Sequence, residues 1–249
     1  DVYVHFLHLH VGIAILCSQS MRLSFDYADR LLRTFVRQCK AIYGKEALVY
    51  NVHGLIHLAS DSRQFGCLDS FSCFPFENFL KDLKALVRSG NKPLEQVYIR
   101  ITEAYACPSV GNGSDSDAAS VEYGVLPSSG HSAGPALSYL NWRQYRKAVW
   151  KNSLISNTLP DNCLLLTENR IVLVANFLMS EAEIMIIGRL CSIEGDLYTH
   201  PCKSSLLSIF KVSARASGFS VFSFSDIVCK GQLLTVNGKS IFFPLFHLL

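Results

Sequence analysis

At 249 residues, with 49% hydrophobic and 17% charged side chains, the chain has the composition of a folded globular protein and not of a disordered or low-complexity one. Its formal net charge of +3 divides into +2 over residues 1–106 (12 Lys/Arg against 10 Asp/Glu), −3 over 107–134 (three acids, no bases) and +4 over 135–249 (11 against 7). That balance permits nucleic-acid binding without announcing it, because dedicated binding domains carry a stronger basic excess.

The apolar stretch from Val2 to Leu16 holds His5, His8 and His10 and is shorter than a membrane span, so a buried helix is expected there and no membrane partner. Over 23–43, Phe25, Ala28, Leu31, Leu32, Phe35, Val36, Cys39 and Ile42 recur at three- and four-residue steps, the stripe of a helix packed on a core, with Ser24 as N-cap and Gly44 as stop. A second helix of this kind is read from Glu46 to about Ala59. A third begins near Pro75, since proline suits a first turn, and runs through Phe76, Phe79, Leu80, Leu83, Leu86 and Val87 to a stop at Gly90. A fourth spans about Leu94 to Ala106, before Pro108.

From Cys107 to Pro135 the composition turns to Gly, Ser, Asp and Pro, which reads as a disordered linker. Then come the basic-aromatic segment NWRQYRKAVW (141–150) and apolar runs of strand length: 163–166, 171–177, 183–191, 206–212, 218–222, 232–236 and 240–245. Turn-formers separate them, among them Glu168-Asn169, Glu194-Gly195 and an Asn237-Gly238 pair that signals a tight hairpin. The expectation is an α+β chain: an N-terminal α-helical domain (1–106), a linker (107–135) and a small β-rich barrel or sandwich (136–249). The nine cysteines form no CxxC pair and no zinc-ribbon spacing, so buried thiols in a reducing compartment are expected. The chain opens at Asp1 without a basic stretch ahead of its apolar run or a small-residue cleavage site, which speaks against secretion and for a part lying upstream.

Four pieces in fixed order, YNVHGLIHL, FGCLDSFSCFPFEN, FLKDLKALVRSG and KPLEQVYIRITE within residues 43–103, resemble a segment of animal proteins derived from CACTA (En/Spm-like) DNA transposons. PDNCLLL (160–166), THPCKSS (199–205) and FPLFHLL (243–249) extend the likeness loosely. The resemblance implies a position downstream of the catalytic core of an RNase-H-like transposase, in which three acids hold two divalent metal ions for in-line attack on a phosphodiester. Two of those acids would belong to the upstream catalytic domain. The third matches Glu77 in FPFEN, and Mg²⁺ or Mn²⁺ would be the cofactor only where the full-length site is intact. A carboxylate in a first helical turn is also favoured by the helix dipole alone. His53 is implied as part of a histidine signature near the acids; a buried, hydrogen-bonded histidine is the competing reading. DNA is the implied partner and the nucleus, or else the cytoplasm, the implied location.

His53 and His57 lie four apart, with Asp61 a further turn on, a pairing that could contribute to a zinc or manganese site. It is not the metalloprotease HExxH, because Gly54 stands where the base is needed. Lys81, Lys84 and Arg88 are read as a basic ridge on the third helix, facing DNA. Arg143, Arg146, Lys147 and Lys151, between Trp142, Tyr145 and Trp150, either contact a phosphate backbone or are the solvated face of an amphipathic helix. His200 and Cys202 have no partner pair at ligand spacing, and no nucleophile elbow is present. Three functions remain: a transposase-derived chain that contributes DNA contacts, a non-catalytic protein- or chromatin-interaction module, and, with least behind it, a stand-alone metal-dependent enzyme.

Overall fold

The computed structural model describes residues 2–106, 123–136, 142–151, 153–181, 183–213 and 218–245. Among the described residues six α-helices come first: α1 (Val2–Cys17), α2 (Phe25–Tyr43), α3 (Tyr50–Gly54), α4 (Leu58–Phe65), α5 (Phe74–Leu86) and α6 (Pro93–Ala106). None of them is long and apolar enough to cross a membrane. Twelve described strands follow: β1 (Tyr123–Val125), β2 (Gly130–His131), β3 (Arg143–Tyr145), β4 (Lys147–Trp150), β5 (Ser153–Ser156), β6 (Cys163–Leu166), β7 (Arg170–Met179), β8 (Ile184–Asp196), β9 (Phe210–Ser213), β10 (Ser220–Ser223), β11 (Ile227–Val236) and β12 (Lys239–Pro244). The chain is therefore α+β, with a barrel and not a sandwich in its second part.

Six antiparallel strands close the barrel in the order β7-β8-β9-β12-β11-β6, with β6 returning to β7. β10 flanks β8, the β3–β2 pair extends from β7, and β1-β4-β5 form a separate three-stranded sheet. Successive residues of a strand face opposite sides. In β6 this sends Cys163 and Leu165 into a core that draws on all six barrel strands, with Ile171, Cys191, Phe210, Val212, Cys229 and Phe242. Leu164 and Leu166 go to a second core under the small sheet, with Ala148, Trp150, Ile155, Val172 and Phe177. Burial on both faces is why these strands read as continuous apolar runs. The β11–β12 hairpin turns at Asn237 and Gly238, with φ of 51° and 73°, the positive-φ pair that a tight hairpin requires.

α1, α2 and α4 pack against the β8–β9 connection of the barrel. A third core joins Leu7, Val11, Ile15, Phe25, Leu32 and Ala59 to Tyr198, Leu207 and Ile209. Tyr27 donates its hydroxyl to the Pro201 carbonyl at 2.9 Å across the same seam. α1 and α2 approach closely at Gly12, where a Cβ would stand 2.9 Å from the Leu32 side chain. Their packing also encloses His5, 1% exposed, stacked on Phe35 with its Nε2 bonded to the Phe35 carbonyl at 2.9 Å. His8, also buried, meets His200 across the seam with ring centroids 5.8 Å apart, and its Nδ1 has no partner among the described residues.

Four expectations need correction. The single helix over 46–59 is broken: a 3-10 turn at Lys45–Ala47, α3 and α4 replace it, with the chain kinked through Leu55–His57 after Gly54, the residue in the segment least favourable to a helix interior. The segment read as linker holds β1 and β2, which find backbone partners in β4 and β3; residues 107–122, Cys107 included, lie outside the described residues. NWRQYRKAVW is no amphipathic helix, since 143–150 pairs as strands β3 and β4 and buries Tyr145, Ala148, Val149 and Trp150. The apolar run at 206–212 begins as a 3-10 turn, Ser204–Leu207, and becomes strand only at Phe210.

Candidate nucleic-acid interface

α2 presents two faces. Phe25, Ala28, Leu31, Leu32, Phe35 and Cys39 are buried against α1. The opposite side carries Arg30, Arg33, Arg37 and Lys40, all exposed, at steps of three, four and three. At 3.6 residues per turn they fall within about 80° of helix circumference and about 15 Å of helix length. Among the described residues only Arg33 of the four pairs with a carboxylate, Asp29, at 2.8 Å. Asp26, four residues before Arg30, is engaged by Arg63 at 2.5 Å.

The guanidinium groups are held in place. Arg33 donates from Nε to Asp29 and from its terminal nitrogen to the Ile56 carbonyl at 3.3 Å, tying α2 to the kink after α3. The hydrogen bond to Asp29 and its charge raise the Arg33 pKa further above an already high value. Arg37 donates to Thr34 Oγ1 at 3.1 Å, and that hydroxyl donates to the Arg30 carbonyl at 2.8 Å. Arg30 lies over the Tyr27 ring, 5.6 Å from its centroid. Between these groups and the kink is a hollow of about 540 Å³ lined by Arg30, Arg33, Thr34, Val36, Arg37 and Ile56. Three cations around such a hollow suit an anionic ligand, and the ridge as a whole suits a row of phosphates.

The residues singled out from the sequence are placed differently. His53 is in the last turn of α3 and His57 precedes α4; both are exposed, with ring centroids 5.6 Å apart. They are neither stacked turns of one helix nor buried, so the reading of His53 as a satisfied core histidine fails. That description fits His5. Glu77 is exposed in the first turn of α5. Lys81 and Lys84 are exposed on the same helix, but Arg88 is not on it: α5 ends at Leu86, Val87 turns extended, and the Arg88 N–H is held by the Gln96 side chain at 2.9 Å. The expected ridge of three is a pair on the helix and a third cation in the following loop. Arg143 in β3, Arg146 at the bend after it and Lys147 in β4 are exposed. Among the described residues no three His, Cys, Asp or Glu side chains converge as a metal site, so Glu77, His53, His57, Asp61, His200 and Cys202 supply no complete ligand set between them.

The α2 ridge matches none of the motifs singled out above. Its signal was the same 3-4-3 spacing that revealed the apolar stripe, carried on the other side of the helix by Arg30, Arg33, Arg37 and Lys40.

A second polar arrangement lies in the barrel. Asn176, fully buried beside a bulge in β7, donates to the Pro135 carbonyl at 2.9 Å and to Gln144 Oε1 at 2.8 Å. Its Oδ1 pairs with His131 Nε2 at 3.0 Å, while the Ala133 N–H donates to His131 Nδ1 at 3.2 Å. The imidazole is thus fixed as the Nε2–H tautomer with both nitrogens in use, which makes the network a structural tie between β7 and the strand pair beside it. The thiols of Cys163, Cys191 and Cys229 are buried in the barrel core, and burial pushes Cys163 and Cys191 up and Cys229 up to about 12, so they are inert.

A family model described as "Domain of unknown function (DUF8592)" matches residues 130–245, from the first residue of β2 to just past β12. It covers the barrel without the helices or the α2 ridge. No curated protein and no solved structure matches the chain.

Proposed function

We propose that this chain is a nucleic-acid-binding, non-catalytic portion of a transposon-derived protein, and that the α2 ridge contacts the phosphate backbone. The observation that carries the reading is the set of four exposed cations on one face of a helix whose other face is locked into the core. Phosphates follow one another at about 3.4 Å of axis along a strand, so about 15 Å of ridge spans roughly four of them. Lys81 and Lys84 on α5, Arg88 in the loop after it, and Arg143, Arg146 and Lys147 across β3 and β4 are further exposed cations, secondary to α2 in this reading. The CACTA-like motif order at 43–103 supports the transposon origin. In that setting an upstream catalytic domain would bring the remaining acids, and Glu77 would be this chain's contribution to a metal site. Binding of this kind positions a protein on nucleic acid without reading sequence. The interaction-module reading keeps one observation of its own, the α5–α6 hairpin with Phe74, Phe76, Phe79 and Tyr98 each more than half exposed.

Hydrogen exchange on the full chain, with and without a duplex of random sequence, tests the proposal. Added DNA is expected to slow exchange across 27–57. Protection confined to 74–100 or to 143–147, with 27–57 unchanged, would move the interface off α2.

A further inference from the structure

A ridge alone needs no hollow to bind phosphates, and α2 has one. We infer that the hollow takes the base of an unpaired nucleotide, so that this surface prefers single-stranded or locally opened nucleic acid to an intact duplex. The inference rests on the nucleic-acid reading above and specifies the ligand of that same site.

The lining has the chemistry of a nucleotide. At about 540 Å³ the hollow lies within the usual 300–1,000 Å³ of small-molecule sites. Val36 and Ile56, both half-buried, give it an apolar floor that a free phosphate would leave unused. Arg33 has its edge committed to Asp29 and the Ile56 carbonyl, which leaves the flat face of the guanidinium for a ligand. Bases pulled out of a stack rest on such guanidinium planes. Thr34 and Ile56 fix the far wall through their bonds to Arg37 and Arg33, so little ordering remains to be done on binding. Arg30, Arg37 and Lys40, which pair with no carboxylate among the described residues, stand around the hollow and along the ridge for the phosphates on either side of the base. In a duplex the bases are paired and stacked, and the ridge would touch its backbone while the hollow stayed unfilled.

The test is fluorescence anisotropy with the full chain and three probes over a range of salt: a single-stranded oligonucleotide of about 12 nucleotides, a length typical of single-strand sites, the same strand with abasic residues throughout, and the matching duplex. The intact strand is expected to bind about 5- to 100-fold more tightly than the abasic one, the range for base stacking on a protein surface. Two variants carry the point independently. Ile56→Trp, which fills the hollow, and Arg33→Lys, which keeps the charge and loses the plane, are both expected to bring the intact strand down to the abasic affinity and leave the salt dependence unchanged. Equal affinity of intact and abasic strands for the unmodified chain overturns the base-pocket inference while salt-dependent binding still upholds the ridge. Absence of salt-dependent binding to all three probes overturns both.

Discussion

α2 and α5 both carry lysine or arginine on one side and large apolar residues on the other, yet they end in opposite circumstances. In α2 the apolar side is buried, with Phe25 2%, Leu32 0% and Phe35 8% exposed. In α5 no described side chain is buried, and Phe76 and Leu80 are 70% and 61% exposed; the helix packs on α6 and adds nothing to the three cores. Anchoring separates the two charged faces. A long cation held on an anchored helix, with its guanidinium fixed by a neighbouring segment as Arg33 is by Ile56, meets a ligand with little entropy left to lose. The same charge on α5 belongs to a hairpin whose order depends on local bonds, chiefly those of the Gln96 side chain to Arg88, Ser89 and Asn91.

The apolar faces should separate the two helices most sharply. Leu32→Ala removes a fully buried side chain from the core shared by α1, α2 and the barrel and is expected to cost roughly 2–5 kcal/mol. Leu80→Ala on α5 should stay within about 0.5 kcal/mol. Urea denaturation measures both. An equal loss for the two would mean that α5 packs in solution on something beyond α6, and the contrast would fall.

A smaller effect follows from the seam between α1 and the barrel. Burial first, and then the neighbouring His200 and His5, lower the His8 pKa below its ordinary value, and burial lowers His10 as well. The unfolded chain therefore binds more protons than the folded one once the pH drops toward about 6.5. Stability is expected to be full above that value, to fall as pH is lowered through it, and to level off below the depressed folded-state pKa. Thermal melts from pH 8 to 5 follow this, and His8→Leu should flatten the profile. A profile that stays as steep in His8→Leu places the titration elsewhere.

Much of the fold was legible in the residues. The α2 stripe, the strand at 163–166, the start of α5 and the Asn237-Gly238 turn all come from patterns long or specific enough to outweigh their alternatives. β1 to β5 were not legible, because strands of two to four residues hold at most two periods of alternation and those of 123–131 and 143–150 are interrupted by Ser, Gly, Arg and Lys. The break in the 46–59 helix was hidden by histidines at helical spacing, although Gly54 marked the weak point. The ridge at Arg30, Arg33, Arg37 and Lys40 was present in the sequence as a 3-4-3 spacing. The hollow beside it was not, since it exists only where the kink brings Ile56 back to α2, a tertiary contact without a periodic signal.

On the proposed function, α2 and not α5 carries the contact with nucleic acid. Measuring affinity against salt for one duplex compares the full chain with Arg30→Ala/Arg37→Ala/Lys40→Ala and with Lys81→Ala/Lys84→Ala. Each phosphate contact contributes about 0.9 to the slope of log affinity against log salt. The α2 variant is expected to lower the slope by roughly 2 to 3 and the α5 variant by less than about 1. A slope untouched by the α2 variant, or a larger drop from the α5 pair, would contradict the account.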